Sequence, residues 1–335
     1  MAESKRGMIG VTRPQALLDS PTLLPDSRRP ENHYEERSMI IKDEKDVTPA
    51  VLKAMEGAPS ARVREIAASF VKHMHAFASE VRLTEPEWEY GIDFLNRIGK
   101  KTSDVHNEAV LFSDTIGLST LVCLMNNGAG GSTETAAALL GPFWRMNSPK
   151  TPNGGSIVRS PTPGPALFST CTVVDHTGKP VANAEVDVWH ASTEGMYENQ
   201  DPTQADHNLR GKFFTDAEGR FSFRTVLPAG YPIPTDGPAG EMVLFQKRAP
   251  WRPAHLHFLV HKEGFKTLVT QVFVSGAQYL DCDIVFGVTE ALVGNYVKHE
   301  SGTPPASDVT GPWYTLDYTF HVEPGDSSLP QPPIK

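Results

Sequence analysis

The stretch WRPAHLHFLV, residues 251–260, places His255 and His257 two positions apart in an otherwise apolar run. In an extended strand successive side chains point to opposite faces, so the two imidazoles share one face while Leu256 and Phe258 occupy the other. This spacing alone leaves two interpretations open. The histidines are half of a metal site, or they stand on the solvent-facing side of an ordinary strand.

The composition restricts the kind of partner that the chain binds. Its 335 residues are enough for one large domain or two smaller ones. A net charge of −9 without a dense Lys/Arg run argues against nucleic acid or an anionic membrane and favours a small molecule. Cys123, Cys171 and Cys282 are far apart, which is typical of a reducing compartment. No apolar run approaches a membrane span, so we expect a cytoplasmic protein without membrane insertion.

The hydrophobic period changes once along the chain, from helical to strand-like. A polar arm, residues 1–48, precedes a helical region, residues 49–127. A connection rich in glycine and proline, residues 128–160, leads to a strand-rich domain, residues 161–324, and to a proline-rich tail, residues 325–335, that we expect to be loose. The pattern predicts a mainly β protein with a helical N-terminal region, in which an antiparallel β-sandwich forms the core.

Three helices are predicted within the helical region. The first is the amphipathic stretch of residues 61–81. The second, residues 84–101, begins with Thr84 and Glu87 in capping-box spacing and ends near Gly99. Residues 104–127, DVHNEAVLFSDTIGLSTLVCLMNN, read as one third helix with an acid, Asp114, in its apolar middle.

Two tyrosines stand in settings that suit a ligand. Tyr197 follows the predicted strand AEVDVWHA and Tyr231 follows RFSFRTV, each after a glycine in a loop. Taken singly, each also fits an amphipathic residue at the edge of the core. Together with the histidine pair, they favour the metal-site interpretation.

Four stretches, in this order and spacing, resemble the intradiol ring-cleaving dioxygenases: AEVDVWHASTEGMY, LPAGYPIPTDGPAG, RPAHLHFLV and TLVTQVFV. The resemblance covers the chain from about residue 49 to about residue 324. The longer stretches NLRGKFFTDAEGRFSFRTVLPAGYPIPTDGP, PWRPAHLHFLV and YLDCDIVFGV are most similar to the hydroxyquinol 1,2-dioxygenases of this family. The segment PIPTDGP after the second tyrosine departs from the plain catechol enzymes.

The resemblance implies one non-haem ferric ion per chain, bound by Tyr197, Tyr231, His255 and His257. Phenolate is a hard anionic ligand that favours Fe(III), and neutral imidazoles leave the ion Lewis-acidic. The implied activity is cleavage of hydroxyquinol by O2 between adjacent hydroxylated carbons, in the catabolism of aromatic compounds. The product is 3-hydroxymuconate, which tautomerises to maleylacetate. In this activity Tyr231 also serves as the base for the diol.

The resemblance assigns further residues to catalysis and to the substrate pocket. Arg252 stabilises negative charge that develops on the ring, and Gln271 lies beside it. The pocket residues that it implies are Leu111, Asp114, Leu139, Leu140, Gly141, Pro142, Ile233, Pro234, Arg252 and Val285. A buried carboxylate costs free energy unless it is hydrogen-bonded, and the third hydroxyl of hydroxyquinol is a suitable partner for Asp114. The alternative for Asp114 is a structural contact to a helix end.

The resemblance also implies a homodimer joined through the N-terminal helices, with a phospholipid bound between them. Three alternatives to the hydroxyquinol assignment stay open from the sequence. The first is a dioxygenase for catechol or a substituted catechol, which uses the same four ligands. The second is a binding module without chemistry, similar to transthyretin, in which VVDHTGKPVANAEVDVW is the strand-turn-strand unit. The third, zinc hydrolysis, is weaker because tyrosinate is an unusual zinc ligand.

Overall fold

A computed structural model describes residues 40–58, 60–127 and 134–334 of the chain. Most of the predicted arm, residues 1–39, therefore lies outside the described residues. The chain divides into two compact units, one that ends at Thr84 and one that begins at Glu85.

The first unit contains two helices, α1 (Glu44–Ala54) and α2 (Ala61–Glu80). Asp43 begins α1 with a capping box, and the Ser60 hydroxyl accepts a backbone N–H of the first turn of α2. The first predicted helix is therefore confirmed. In the described part of the chain its apolar stripe is largely exposed, since Phe70 is 65% exposed and no residue of α2 is buried.

The second unit begins with α3 (Glu85–Lys101), α4 (Glu108–Thr115) and α5 (Leu118–Asn127). The prediction of a single helix over residues 104–127 was wrong, because α4 and α5 meet at an angle of 77°. The chain turns at Gly117, whose φ of +75° lies in the left-handed region that side chains with a Cβ rarely adopt. The apolar pattern runs through this break, so periodicity alone did not reveal it.

Two sheets and a short hairpin-like pair form the rest of the second unit. The four-stranded sheet has the order β10-β11-β1-β4, the five-stranded sheet has the order β3-β2-β7-β8-β9, and β5 pairs with β6. A further helix, α6 (Pro238–Phe245), follows β5. The strands are β1 (Ala166–Asp175), β2 (Glu185–Trp189), β3 (Arg210–Phe214), β4 (Arg220–Val226), β5 (Tyr231–Pro232), β6 (Trp251–Arg252), β7 (His255–His261), β8 (Leu268–Val274), β9 (Val293–Gly294), β10 (Tyr296–His299) and β11 (Trp313–Val322).

The predicted β-sandwich is confirmed, and its sheets are mixed rather than purely antiparallel. Strands β1 and β11 pair in parallel, as do β8 and β9, while the other pairs are antiparallel. Strands β1 and β11 lie far apart in the sequence, so no short turn dictates their relative direction. Strands β3 and β4, which flank the DAEG turn, lie in different sheets, so this turn crosses the sandwich.

The core lies between the two sheets. Leu256 and Phe258 of β7 pack in the same cluster as Phe221 of β4 and Phe320 of β11. The rings of Phe258 and Phe320 are 4.8 Å apart between centroids. Side chains that alternate along each strand thus supply both inner faces of the sandwich.

The compact units divide at a different place from the expected boundary at residues 128–160. Helices α3 and α4 belong with the sandwich, because both pack against α6. Lys101 of α3 forms an ion pair with Asp236 at 2.6 Å, and the buried carboxylate of Glu108 accepts the backbone N–H of Ala239 at 2.8 Å. Among the described residues no single helix is long and apolar enough to span a membrane, and only the bent pair α4–α5 meets that criterion together.

The tail, residues 325–335, was expected to be loose, and this was wrong for its end. No helix or strand forms in residues 325–334, as the proline content suggests. Ile334 is nevertheless buried, in a cluster with Trp189 and Leu259. An apolar side chain is buried wherever the fold offers it a contact, whatever the regularity of its backbone.

We expect Phe320→Ala to lower the free energy of unfolding by about 3–5 kcal/mol, because it leaves a cavity between the sheets. Phe245, at the end of α6, is 90% exposed and is the matched control. Its replacement by Ala removes little buried surface, so we expect a small change. Urea denaturation of both variants measures the difference, and equal losses would contradict this location of the core.

Candidate metal and substrate site

Strand β7 carries the two histidines of the stretch WRPAHLHFLV. His255 and His257 share one face of the strand, as predicted, and Leu256 and Phe258 lie on the core face. Both imidazoles are only 2% exposed. The solvent-facing interpretation is therefore excluded, because both faces of β7 are buried.

Two tyrosine side chains lie beside the histidines. Tyr231 lies in β5 rather than in a loop, where it pairs with Arg252 of β6 just before β7. Tyr197 follows β2 in a loop, as predicted, and its Oη is 3.2 Å from the Oη of Tyr231. Gly195 allows this approach, since a Cβ there would lie 2.9 Å from the Cβ of Tyr231. Both phenols are buried.

The histidine nitrogens are oriented by their neighbours. The Nδ1 of His255 lies 2.7 Å from the carbonyl oxygen of Pro253, which can only accept, so Nδ1 carries the proton and Nε2 a lone pair. The Nε2 atoms of His255 and His257 are 3.1 Å apart. Trp189 stacks on the ring of His257 with centroids 4.7 Å apart. The site thus presents imidazole nitrogens side by side.

Burial keeps His255 and Tyr197 uncharged. It lowers the pKa of His255 well below the usual range, and the charge of Arg252 lowers it further. Burial also raises the pKa of Tyr197 well above its usual range, and the neighbouring Tyr231 adds to this. A cation among these atoms would compensate phenolate charge that burial otherwise disfavours. Two phenol oxygens and two imidazole nitrogens are a donor set that suits Fe(III).

A second group of potential ligands, Glu198, Asp206 and His207, also clusters within 4.8 Å. It does not fit a metal ion, because its carboxylates already have cationic partners. Arg145 contacts Glu198 at 2.8 Å and Asp206 at 2.6 Å, and Arg210 contacts Glu198 at 2.7 Å. This cluster is an ion-pair network beside the loop that carries Tyr197.

Arg252 lies beside the four donor atoms and is buried. Its Nη1 is 3.2 Å from the Nε2 of His255, and its Nη2 donates to Gln271 at 2.9 Å. Burial lowers the pKa of Arg252, but the Asp283 carboxylate and the two neighbouring tyrosines together outweigh this effect and raise it, so the guanidinium stays charged. Asp283 was not among the predicted site residues, because an acid in YLDCDIVFGV resembles a surface loop residue.

Gln271 connects Arg252 to the pocket wall. It lies on β8 directly opposite His257 and is buried. Its Oε1 accepts from Arg252, and its Nε2 donates to the carbonyl oxygen of Leu139 at 2.7 Å. Both ends of this amide are therefore satisfied.

A cavity opens over these groups, and its walls come from α4, the segment before β1, the residues after β5, and the loop after β8. Of the ten predicted pocket residues only Leu140 is not in its wall, and Leu140 packs behind the wall. Phe143 was missed, although it ends the stretch LLGPF, residues 139–143. Its ring stacks on the ring of Tyr197, with the ring centroids 4.5 Å apart. The lining residues are Leu111, Asp114, Leu139, Gly141, Pro142, Phe143, Tyr197, Tyr231, Ile233, Pro234, Arg252, His257 and Val285.

Asp114 is the only carboxylate in this lining. Burial raises its pKa to about 6, while a hydrogen bond from Ser119 and the charge of Arg252 act in the opposite direction. Asp114 is thus mostly ionised at pH 7. Ser119 lies in the first turn of α5, so the expected contact to a helix end exists, and the carboxylate faces the cavity as well.

Two family models match the chain. The one described as "Catechol dioxygenase N terminus" matches residues 60–133, and the one described as "Dioxygenase" matches residues 140–323. These two models together cover α2–α5 and nearly all of the sandwich.

Individual relatives extend over most of the chain. A 6-chlorohydroxyquinol 1,2-dioxygenase of Cupriavidus pinatubonensis is 40% identical over 84% of this chain and 98% of the relative. A catechol 1,2-dioxygenase of Candida albicans is 39% identical over 78% of this chain and 86% of the relative. The solved structure of a hydroxyquinol 1,2-dioxygenase from Pseudomonas putida DLL-E4 has a TM-score of 0.77, with 38% identity, and covers 84% of this chain and 99% of that chain.

Proposed function

The chain belongs to the intradiol ring-cleaving dioxygenases, and we propose that its substrate is hydroxyquinol, 1,2,4-trihydroxybenzene. Cleavage between adjacent hydroxylated carbons places both atoms of O2 in the product, 3-hydroxymuconate, the tautomer of maleylacetate. The observation that carries this substrate is the buried carboxylate of Asp114 in the cavity wall. The alternative of a binding module without chemistry was wrong, since the relatives that define the family are enzymes.

We propose that Tyr197, Tyr231, His255 and His257 bind one non-haem ferric ion per chain through their phenol oxygens and Nε2 atoms. The convergence of these buried donors supports this. When bound, the ion supplies the Lewis acidity that acidifies the diol and activates the ring toward O2. Zinc suits this donor set less well, because phenolates are unusual zinc ligands.

The chain's own residues supply proton transfer and charge stabilisation. With the ion bound, Tyr231 would be a phenolate, and its Oη would accept a proton from one diol hydroxyl as the substrate binds, which is general-base catalysis. The guanidinium of Arg252 stabilises the negative charge that develops on the ring. Leu111, Ile233 and Val285 form apolar walls that keep water away from the reacting carbons.

Asp114 is the basis for discrimination between hydroxyquinol and catechol. Its carboxylate accepts a hydrogen bond from the third hydroxyl of hydroxyquinol. Catechol lacks this hydroxyl, so its binding leaves the buried carboxylate without that partner. A polar pocket therefore discriminates against catechol more strongly than an apolar pocket would. Catechol and substituted catechols are the alternative substrates, and their kcat/KM values are to be compared with that of hydroxyquinol.

We propose a homodimer formed through the N-terminal helices, with a phospholipid between them. The exposed apolar side chains support it in each unit separately. In the first unit they lie on α2, at Val63, Ile66, Phe70, Met74 and Phe77. In the second unit they lie on α3 and α5, at Trp88, Ile92, Leu95, Leu121 and Met125. Exposed apolar side chains grouped on helices in this way mark an interaction site.

We propose the cytoplasm as the compartment of this enzyme. The three cysteines are free thiols, and the buried Cys171 packs in the core of the sandwich. A reducing compartment keeps such thiols unpaired.

We expect the purified protein to contain about one iron per chain and to be red-brown, because ferric phenolates absorb visible light by charge transfer. Tyr197→Phe removes one phenolate and strongly changes this absorption. Tyr90→Phe, on the exposed part of α3, is the control that leaves it unchanged. Metal analysis and visible spectra test this. Colourless protein that stays inactive after iron loading would exclude the proposed metal centre.

We expect Asp114→Ala to reduce the preference for hydroxyquinol over catechol by roughly 10-fold to 100-fold in kcat/KM, which is the range for a hydrogen bond to a charged group. The visible iron spectrum should not change. In the unmodified enzyme the preference should also fall as the pH is lowered through about 6, because the carboxylate becomes protonated there. The ratio of the two kcat/KM values cancels pH effects common to both substrates. Equal losses on both substrates would assign Asp114 a structural role.

We expect sedimentation velocity to show twice the 36.7 kDa chain mass, and organic extraction to release phospholipid. Phe70→Glu places a charge on the exposed apolar face of α2 and should produce monomers. Ser69→Glu adds the same charge beside that face and is the control. A native chain that sediments as a monomer would contradict the dimer.

A further inference from the structure

The hydrogen bonds of Arg252 to Asp283 and Gln271 leave only the Nη1 end of its guanidinium for contacts within the site, where Nη1 lies 3.2 Å from the Nε2 of His255. Arginine has five N–H groups and no acceptor. Its Nε donates to Asp283 Oδ1 at 3.1 Å, and its Nη2 donates to Asp283 Oδ2 at 3.1 Å and to Gln271 at 2.9 Å. These bonds use three of the five N–H groups. The remaining two belong to Nη1, which lies beside His255.

The Asp283 carboxylate is itself anchored to the backbone. Its Oδ2 accepts the N–H of Gly287 at 3.0 Å, and its Oδ1 lies 3.4 Å from the N of Val285. The loop is tightly wrapped around the ion pair, since a Cβ on Gly287 would lie 3.1 Å from Arg252 Nη2. The carboxylate is buried, so its position is determined by these contacts rather than by solvent.

The loop that carries Asp283 has further attachments that do not involve Arg252. The N–H of Ile284 donates to Trp251 at 3.1 Å, and the carbonyl oxygen of Ile284 accepts from Arg248 at 3.0 Å. Thr120 of α5 donates to the carbonyl oxygen of Val285 at 2.8 Å. The loop is therefore a rigid support from which one carboxylate reaches the guanidinium.

We propose that Asp283 is a positioning residue for ring cleavage, which sets the plane of the Arg252 guanidinium so that Nη1 faces the bound substrate. A bidentate carboxylate fixes a planar guanidinium in rotation as well as in distance. The pairing also neutralises a buried cation that would otherwise be costly. Through Val285 the same loop forms part of the substrate cavity, so guanidinium and cavity wall share one support. This inference rests on the proposed role of Arg252.

A double-mutant cycle tests whether Asp283 acts through Arg252. The proteins are the unmodified enzyme, Asp283→Asn, Arg252→Lys and the double variant, with Asp281→Asn, an exposed acid of the same loop, as the matched control. Asparagine keeps the shape of Asp283 but removes its charge and one of its two acceptors. The measurements are kcat and KM for hydroxyquinol, iron content, and the anaerobic dissociation constant of hydroxyquinol from the visible spectrum.

We expect Asp283→Asn to lower kcat on the order of 10²-fold, the range for loss of an aligned charge-stabilising donor, with full iron content and little change in the dissociation constant. In the Arg252→Lys background the same substitution should change kcat by less than about 3-fold, since coupled residues are not additive. The control should match the unmodified enzyme.

Two results would overturn the inference: a normal kcat in Asp283→Asn, or losses that multiply in the double variant. If Asp283→Asn does not fold, Asp283→Glu keeps the charge and moves it by one methylene, and a normal kcat in that variant would also overturn the inference. Failure of the proposed function is distinguishable, because the unmodified enzyme would then lack iron or ring cleavage. If Arg252→Lys alone loses turnover while Asp283→Asn does not, only the positioning role fails.

Discussion

Strand β7 is buried on both faces, and the rest of the second unit is arranged around this constraint. One face contributes Leu256 and Phe258 to the core between the sheets. The other face carries two imidazoles that need hydrogen-bonding or packing partners, because a buried polar group without them is costly. Pro253 supplies a carbonyl oxygen for His255, and Trp189 covers the ring of the second histidine.

The cover over this polar face comes from elements that are distant in sequence. Helix α4, the segment before β1, the residues after β5 and the loop after β8 all contribute to the cavity. The hydrogen bond from Gln271 to Leu139 attaches one of these segments to the sheet, and the carboxylate of Glu108 attaches α4 to the start of α6. Because each wall has its own polar attachment to its neighbours, the cavity keeps its shape although its surface is mainly apolar.

Charge in the site is concentrated in two places with different chemistry. Arg252 and Asp283 form a buried pair in which a bidentate carboxylate keeps the guanidinium cationic. Asp114 stands apart in the wall, and its raised pKa reflects the cost of its burial. The first arrangement suits stabilisation of developing negative charge, whereas the second suits recognition of a donor on the substrate. The phenol of Tyr197 stays neutral because burial raises its pKa, and a bound cation would reverse this condition.

Local periodicity in the sequence was sufficient for the features that depend on neighbouring residues. The alternation around His255 and His257, the helix over residues 61–80 and the change from helical to strand-like period were all readable, because the geometry of a helix or strand repeats within a few residues. The resemblance to a family added the four proposed ligands and ten pocket residues, nine of which line the cavity. Other features depend on long-range contacts that leave no local pattern. The break at Gly117 lies in a continuous apolar pattern, and the parallel pairing of β1 with β11 joins strands from opposite ends of the domain. Two further features were decided only by the tertiary structure. Arg252 pairs with Asp283 because a charge that is buried away from water needs a counter-charge. Ile334 is buried because the fold brings it into contact with other apolar side chains.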